Sequence, residues 1–197
     1  MLIKNPKILE LNAHADSVLC GVFTQGGGSL ATGSKDTYVN MYDVSNSKLI
    51  GRMDMHRASI CCLSVINSGE ILASGGDYKC GSIILWDAKT LIVRHRLEGH
   101  SAAVTAIVDL EDGENLASAS YDKKINVFNY RGHDSKGVNF NPKLQMTVIN
   151  KTGISCLILN GNKTKLIASG LDKTILVWKI ERNRDLSFRE LSSNRVI

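Results

Sequence analysis

The sequence predicts an all-β protein made of four consecutive four-stranded units. Three observations carry that prediction. Aspartates recur at Asp36, Asp77, Asp122 and Asp172, spaced by 41, 45 and 50 residues. A histidine precedes three of them at a nearly fixed offset, His14 by 22 residues, His56 by 21 and His100 by 22. The stretches between are short apolar runs rich in β-branched residues and broken by Gly, Asp and Lys. None combines helical period, length and caps, so helix content should be very low.

Each unit supplies four strands in the same order. The first follows the histidine position, with Val18, Ile60, Val104 and Ile154 in register and then Cys20, Cys62, Ala106 and Cys156 two residues on. The second is the string Leu30–Ser34, Leu72–Gly76, Leu116–Ser120 and Ile167–Gly170. The third ends on an aromatic residue, Tyr42, Trp86, Phe128 or Trp178. The fourth reads as Lys48–Met53, Leu91–Leu97, Leu144–Ile149 and Leu186–Leu191. Lys7–Asn12 reads as a further outer strand ahead of the first unit. The repeat region spans 1–191, with units at 12–54, 55–98, 99–148 and 149–191 and a tail at 192–197.

Two irregularities interrupt the pattern. Asp77 stands 6 residues before Ile83, against 3 for the matching pairs, so the hairpin Asp77–Ser82 is lengthened. A longer linker joins Asn129 to Asn150. Both read as indifferent insertions, although long surface loops are common sites of partner contact. The triplet Gly26-Gly27-Gly28 precedes strand-like sequence without a Gly-Lys-Ser/Thr, so it reads as a turn, not a phosphate cradle.

Composition limits the function classes. The chain has 197 residues, 43% of them apolar and 22% charged, with a mean hydropathy of -0.05. That is a globular balance, not a disordered one. No apolar run is long enough for a transmembrane helix, and the first residues lack the apolar stretch of a signal peptide, so no membrane association is expected. The net charge of +5 is scattered. It permits a nucleic-acid partner but lends that reading little weight. Five cysteines, an odd number, argue for a reducing compartment over a disulfide framework. The expected location is cytoplasmic, with the nucleus also open.

The repeat closely resembles the WD40 family, whose four-stranded sheets are blades of a β-propeller. Gly99-His100 and Trp86-Asp87 match its two marks outright. Asp43 keeps the terminal acid and Trp178-Lys179 loses it. The resemblance implies a structural hydrogen-bond chain of His, Ser/Thr, Asp and Trp in each blade. By position that chain is His14, Thr32, Asp36 and Tyr42 in the first unit, and His56, Ser74, Asp77 and Trp86 in the second. It is His100, Ser118 and Asp122 in the third, and Ser169, Asp172 and Trp178 in the fourth. Phe128 cannot donate a hydrogen bond, so the third chain should be shortened. The insertion makes the place of Asp77 uncertain.

The same residues argue against chemistry. A His, Ser and Asp trio that recurs at one spacing is a structural network; a catalytic triad occurs once. The cysteines lack Cys-x-x-Cys spacing, and Cys61 and Cys62 would point to opposite sides of a strand, so no metal or other cofactor is expected. Cys80 sits in a predicted loop and reads as solvent-exposed, and a reactive role for it would need a charged environment. The reading is therefore a non-enzymatic interaction scaffold or adaptor that binds protein partners through propeller faces. The candidate contact residues are Leu19, Lys35, Cys61, Thr105, Tyr121 and Leu171. An RNA-binding or ribonucleoprotein-assembly subunit is the alternative. A ubiquitin-ligase substrate receptor comes second, because Lys89 falls where some members carry arginine.

Four units are few for this family. Unpaired sheet faces are a liability in water. A tight four-bladed ring, an eight-bladed ring of two chains, completion by a partner subunit and a piece of a longer propeller are the readings. Association, as a homodimer or with another subunit, is favoured.

Overall fold

The computed structural model describes residues 10–78, 80–131, 142–182 and 186–191. Sixteen strands form four antiparallel sheets in chain order. The first holds β1 (Val18–Phe23), β2 (Ser29–Ser34), β3 (Val39–Asp43) and β4 (Lys48–Met53). The second holds β5 (Ile60–Ile66), β6 (Ile71–Gly76), β7 (Ile83–Asp87) and β8 (Val93–Leu97). The third holds β9 (Val104–Asp109), β10 (Asn115–Ser120), β11 (Lys124–Asn129) and β12 (Lys143–Ile149). The fourth holds β13 (Ile154–Leu159), β14 (Lys165–Gly170), β15 (Ile175–Arg182) and β16 (Leu186–Leu191).

Consecutive strands within each sheet pair antiparallel, most of them across short turns and β11 and β12 across the longer linker. The helical residues described are two 3-10 turns, Gln25–Gly27 and Asn67–Gly69. The triplet glycines serve the first of these turns, where Gly26 and Gly27 take φ of 82° and 71°. Leu186–Leu191 pairs with β15 as the outer strand of the fourth sheet. Of the segment Lys7–Asn12, residues 7–9 lie outside the described residues, and 10–12 form no strand. Most of the linker, 132–141, also lies outside them, as does the tail.

The sheets stack face to face in sequence, with β1 against β5, β5 against β9 and β9 against β13. Alternation along each strand sends one set of side chains to each neighbour. Ala31, Val39 and Met41 meet Leu72, Ile84 and Trp86 in the first seam. Ala73, Ile83 and Leu85 meet Leu116 and Phe128 in the second. Ala117, Ile125 and Val127 meet Leu166 and Trp178 in the third. The three seams are the core. Among the described residues, the first and fourth sheets make no contact on the scale of these seams. The stack is an arc.

Candidate functional site

Register decides which polar residues meet. Ser34, Gly76, Ser120 and Gly170 pair with Val18, Ile60, Val104 and Ile154 and so share one position. Two residues earlier stand Thr32, Ser74, Ser118 and Ala168. Two residues later stand Asp36, Tyr78, Asp122 and Asp172.

The first and third blades close the network. His14 Nε2 lies 2.7 Å from Thr32 Oγ1, and its Nδ1 lies 2.8 Å from Asp36 Oδ2. His100 Nε2 lies 2.8 Å from Ser118 Oγ, and its Nδ1 lies 3.0 Å from Asp122 Oδ2. Each aspartate also accepts backbone N–H groups, from Ala15 and Tyr38 at Asp36 and from Ser101 and Lys124 at Asp122. Burial would raise both carboxyls. The backbone donors and the histidine rings outweigh it and hold both below the usual carboxylate range. Phe128 ends the third chain at the Ser118 hydroxyl.

Tyr42 is buried but is not joined to Thr32. Its hydroxyl accepts from Asn40 Nδ2 at 3.2 Å, and the same amide nitrogen reaches Ala13 O at 3.0 Å. Arg52 Nε donates to Asn40 Oδ1 at 3.2 Å. Asn126 repeats this role in the third blade, accepting from Thr147 Oγ1 at 2.8 Å. Sequence reasoning missed both asparagines. Their signal was a polar residue inside an apolar strand, Val39-Asn40-Met41 and Ile125-Asn126-Val127.

The second blade joins three of its four expected residues. Ser74 Oγ accepts from Trp86 Nε1 at 2.8 Å and lies 2.7 Å from His56 Nε2. Asp77 is not brought to His56. Its backbone N–H donates to Ser59 O, as those of Lys35, Tyr121 and Leu171 do to Ser17, Ala103 and Gly153. Asp77 thus takes the place of Lys35, and His56 Nδ1 is buried without a partner among the described residues. Burial, reinforced by the charge of Arg96, pulls the His56 ring down to about 4.

The fourth blade differs most. Ser169 pairs with Cys156 and Ile175, the position of Gly33, Gly75 and Ala119 on the opposite face. Its hydroxyl lies 2.8 Å from Ser155 Oγ. Ala168 occupies the place of Ser74 and brings no hydroxyl to Trp178. Asp172 keeps its register but faces solvent, accepting from the N–H and hydroxyl of Thr174.

The contact candidates separate. Lys35, Asp77, Tyr121 and Leu171 form one row along an edge of the arc. Lys35 is exposed. Tyr121 and Leu171 are 49% and 61% exposed. They flank Gly153, with Leu171 Cδ1 and the Tyr121 backbone each 3.1 Å from where a side chain there would begin. Leu19 is also exposed. Cys61 is half-buried, and burial with the charge of Asp77 pushes its thiol up to about 11. Thr105 is committed to a seam, its hydroxyl 2.8 Å from Ile154 O. The structure also brings Arg96 to Cys80, with Nη2 3.1 Å from Sγ. Burial would raise its thiol, but hydrogen bonds from Ser82 and the Arg57 N–H, with the Arg96 charge, lower it. Among the described residues, no group of three or more His, Cys, Asp or Glu could hold a metal ion.

A family model described as "WD domain, G-beta repeat" matches residues 5–43, 47–87, 92–129 and 127–179. The chain is 27% identical over 188 residues to Autophagy-related protein 16 of Arabidopsis thaliana, covering 92% of this chain and 34% of that protein. It is 27% identical over 198 residues to Transcription factor unc-37 of Caenorhabditis elegans, covering 95% and 30%. The chain thus spans about a third of the length of these curated relatives. A solved structure of U3-55K superposes with a TM-score of 0.72 at 21% identity, covering 93% of this chain and 55% of that one. That likeness is one of fold.

Proposed function

Because the chain belongs to the WD40 repeat family, whose members are typically interaction scaffolds and generally not enzymes, we propose that it is an adaptor subunit of a multiprotein complex. It docks a protein partner on the edge that carries Lys35, Tyr121 and Leu171. The observation that carries this reading is the Tyr121–Leu171 pair. Two large side chains stand exposed on either side of Gly153, and each is held in place by a backbone hydrogen bond to the preceding loop. An aromatic and an aliphatic anchor side by side are the kind of contact that dominates binding energy. The recurrent His, Ser/Thr and Asp groups support it as well, since in the first and third blades they are bonded to one another.

The test is affinity capture from source-cell lysate with the wild-type chain and with Leu171→Asp. The expected result is loss of specific partners at an unchanged melting temperature. Full retention of every partner by Leu171→Asp, and also by Tyr121→Ala, refutes this edge as the docking surface. A second reading, RNA contact, is favoured by Lys35 and Tyr121 sharing the row two blades apart, since cations and stacking rings along one edge suit a single strand. RNA binding that weakens steeply with salt, and is lost in Tyr121→Ala, would support it.

A further inference from the structure

We propose that Cys80 is a redox-modification site whose sulfur, set between the Arg96 guanidinium, the Ser82 hydroxyl and the Arg57 N–H, takes an oxygen from hydrogen peroxide. The inference goes beyond the scaffold reading and does not depend on it. Cys80 lies in the lengthened turn between β6 and β7, in a sheet packed between the first and the third, so the site involves neither end of the arc.

The lengthened turn brings the sulfur to its partners. The N–H groups of Cys80 and Gly81 both donate to Asp77 O, at 2.8 and 2.9 Å. Gly81 takes a φ of 53° and lies against the His100 backbone, where a side chain would collide. The turn so fixed holds Cys80 Sγ 2.9 Å from Ser82 Oγ and 3.1 Å from Arg96 Nη2. Glu98 takes Arg96 Nε at 2.6 Å and leaves Nη2 to the sulfur. Hydrogen-bond donors and a positive charge favour the thiolate, the form of cysteine that attacks. Burial does the opposite elsewhere. It pushes the Cys20 thiol up to about 12, the Cys61 thiol up to about 11 and the Cys62 thiol well above its ordinary value. Among the described residues, Cys80 is the cysteine whose sulfur a guanidinium meets.

His56 points to the ligand. It is 5% exposed, and its Nδ1 has no partner among the described residues. A side chain begun at Gly76 would stand 3.2 Å from that nitrogen and 3.4 Å from Cys80 Cβ. The nitrogen therefore faces the space between Gly76 and the Cys80 turn. In the first and third blades an aspartate oxygen meets this nitrogen at 2.8 and 3.0 Å. Hydrogen peroxide is small and carries a hydroxyl that can bond there while its other oxygen meets the thiolate. Sγ attacks that oxygen, the S–O bond forms as the O–O bond breaks, and the sulfur gives up two electrons to the peroxide. The departing hydroxide takes a proton from solvent and leaves as water, and the product is a sulfenic acid.

The test exposes the reduced full chain to hydrogen peroxide with dimedone, which traps sulfenic acids, and reads each cysteine over time by peptide mass spectrometry. In the folded chain Cys80 should label on the order of tenfold faster than the exposed Cys156. In urea that difference should vanish. The Arg96 side chain is 36% exposed, so Arg96→Gln should keep its circular dichroism melt. It should slow labelling of Cys80 by about fivefold and leave Cys156 unchanged. Labelling of Cys80 no faster than Cys156, a preference that survives urea, or an Arg96→Gln chain that labels Cys80 at the wild-type rate overturns the proposal.

Discussion

Asp122→Ala should destabilise the protein far more than Asp172→Ala, although both aspartates fill one position of the repeat. The Asp122 side chain is 3% exposed and the His100 side chain against it 1%. Its carboxylate accepts from His100 Nδ1, Ser101 N–H and Lys124 N–H at 3.0, 3.0 and 2.9 Å. Removing it strands the buried ring N–H and loosens two backbone donors. A buried polar group left unpaired costs about 1–3 kcal/mol, and bonds to a charge lie at the upper end. The total is on the order of 3 kcal/mol. For a chain of this size that corresponds to a fall in Tm of about 6–12 °C. Asp172 faces solvent and bonds Thr174, so its removal should move Tm by about 2 °C or less. The assay is thermal melting by circular dichroism at pH 7, with urea midpoints as a check. The sign of the pH dependence is fixed. The folded Asp122 carboxyl titrates below its ordinary value, so its contribution is present above that ordinary value and is lost as pH falls through the lowered one. The gap between wild type and Asp122→Ala should therefore shrink in strong acid. Equal melting temperatures for the two variants at pH 7 would refute the network assignment.

Acid should weaken the protein well before the aspartates titrate. The folded His56 ring titrates at about 4, below the unfolded value of about 6.5, so the unfolded chain takes the proton first and stability falls between those two values, by about 3 kcal/mol. Urea midpoints that stay level from pH 7 to pH 4.5, or a slope that His56→Gln leaves unchanged, contradict this. Ser74→Ala should lower stability by about 2 kcal/mol, since it strands the buried Trp86 N–H and the His56 ring together. Ser169→Ala should be nearly silent, and a loss matching that of Ser74→Ala would refute the register placed on the fourth blade.

The strands were legible because their signals are local and repeated. The outer strands Lys48–Met53 and Leu186–Leu191 lie where their apolar content and their place after the aromatic strand put them. What escaped was register to one residue. The strings Leu72-Ala73-Ser74-Gly75 and Ile167-Ala168-Ser169-Gly170 align by eye, yet a one-residue slip in a strand moves a side chain to the other face. Counting back four residues from the aspartate gives Thr32, Ser118 and Ala168, as the pairing does. The second blade hid the reverse error. Its longer hairpin advances Asp77 by one place, and the carboxylate leaves His56. The contact edge was legible as positions but not as exposure. Thr105 and Tyr121 look equally free in the sequence, and only the packing of neighbouring blades shows that one is spent on a seam.

The four blades are consequently unequal in how they are held. In a stacked repeat, each unit draws its stability from its own bonds and from the seams on either side. The second blade lacks an aspartate on its histidine but is clamped between two seams, with Trp86 buried on Ser74. The first blade has one seam and compensates with a closed His14–Thr32–Asp36 network and the Asn40–Arg52 pair. The fourth has one seam, Asn150 in place of a histidine, and Ala168 in place of a hydroxyl. It is the blade with least to hold it, and it carries both Leu171 and the face that bears Ile158 and Ile175. Anything that covers that face, or grips Leu171 and Tyr121 together, ties the fourth blade to the third. A partner bound at this end of the arc would therefore stabilise the fold itself, because binding to the folded state alone shifts the folding equilibrium.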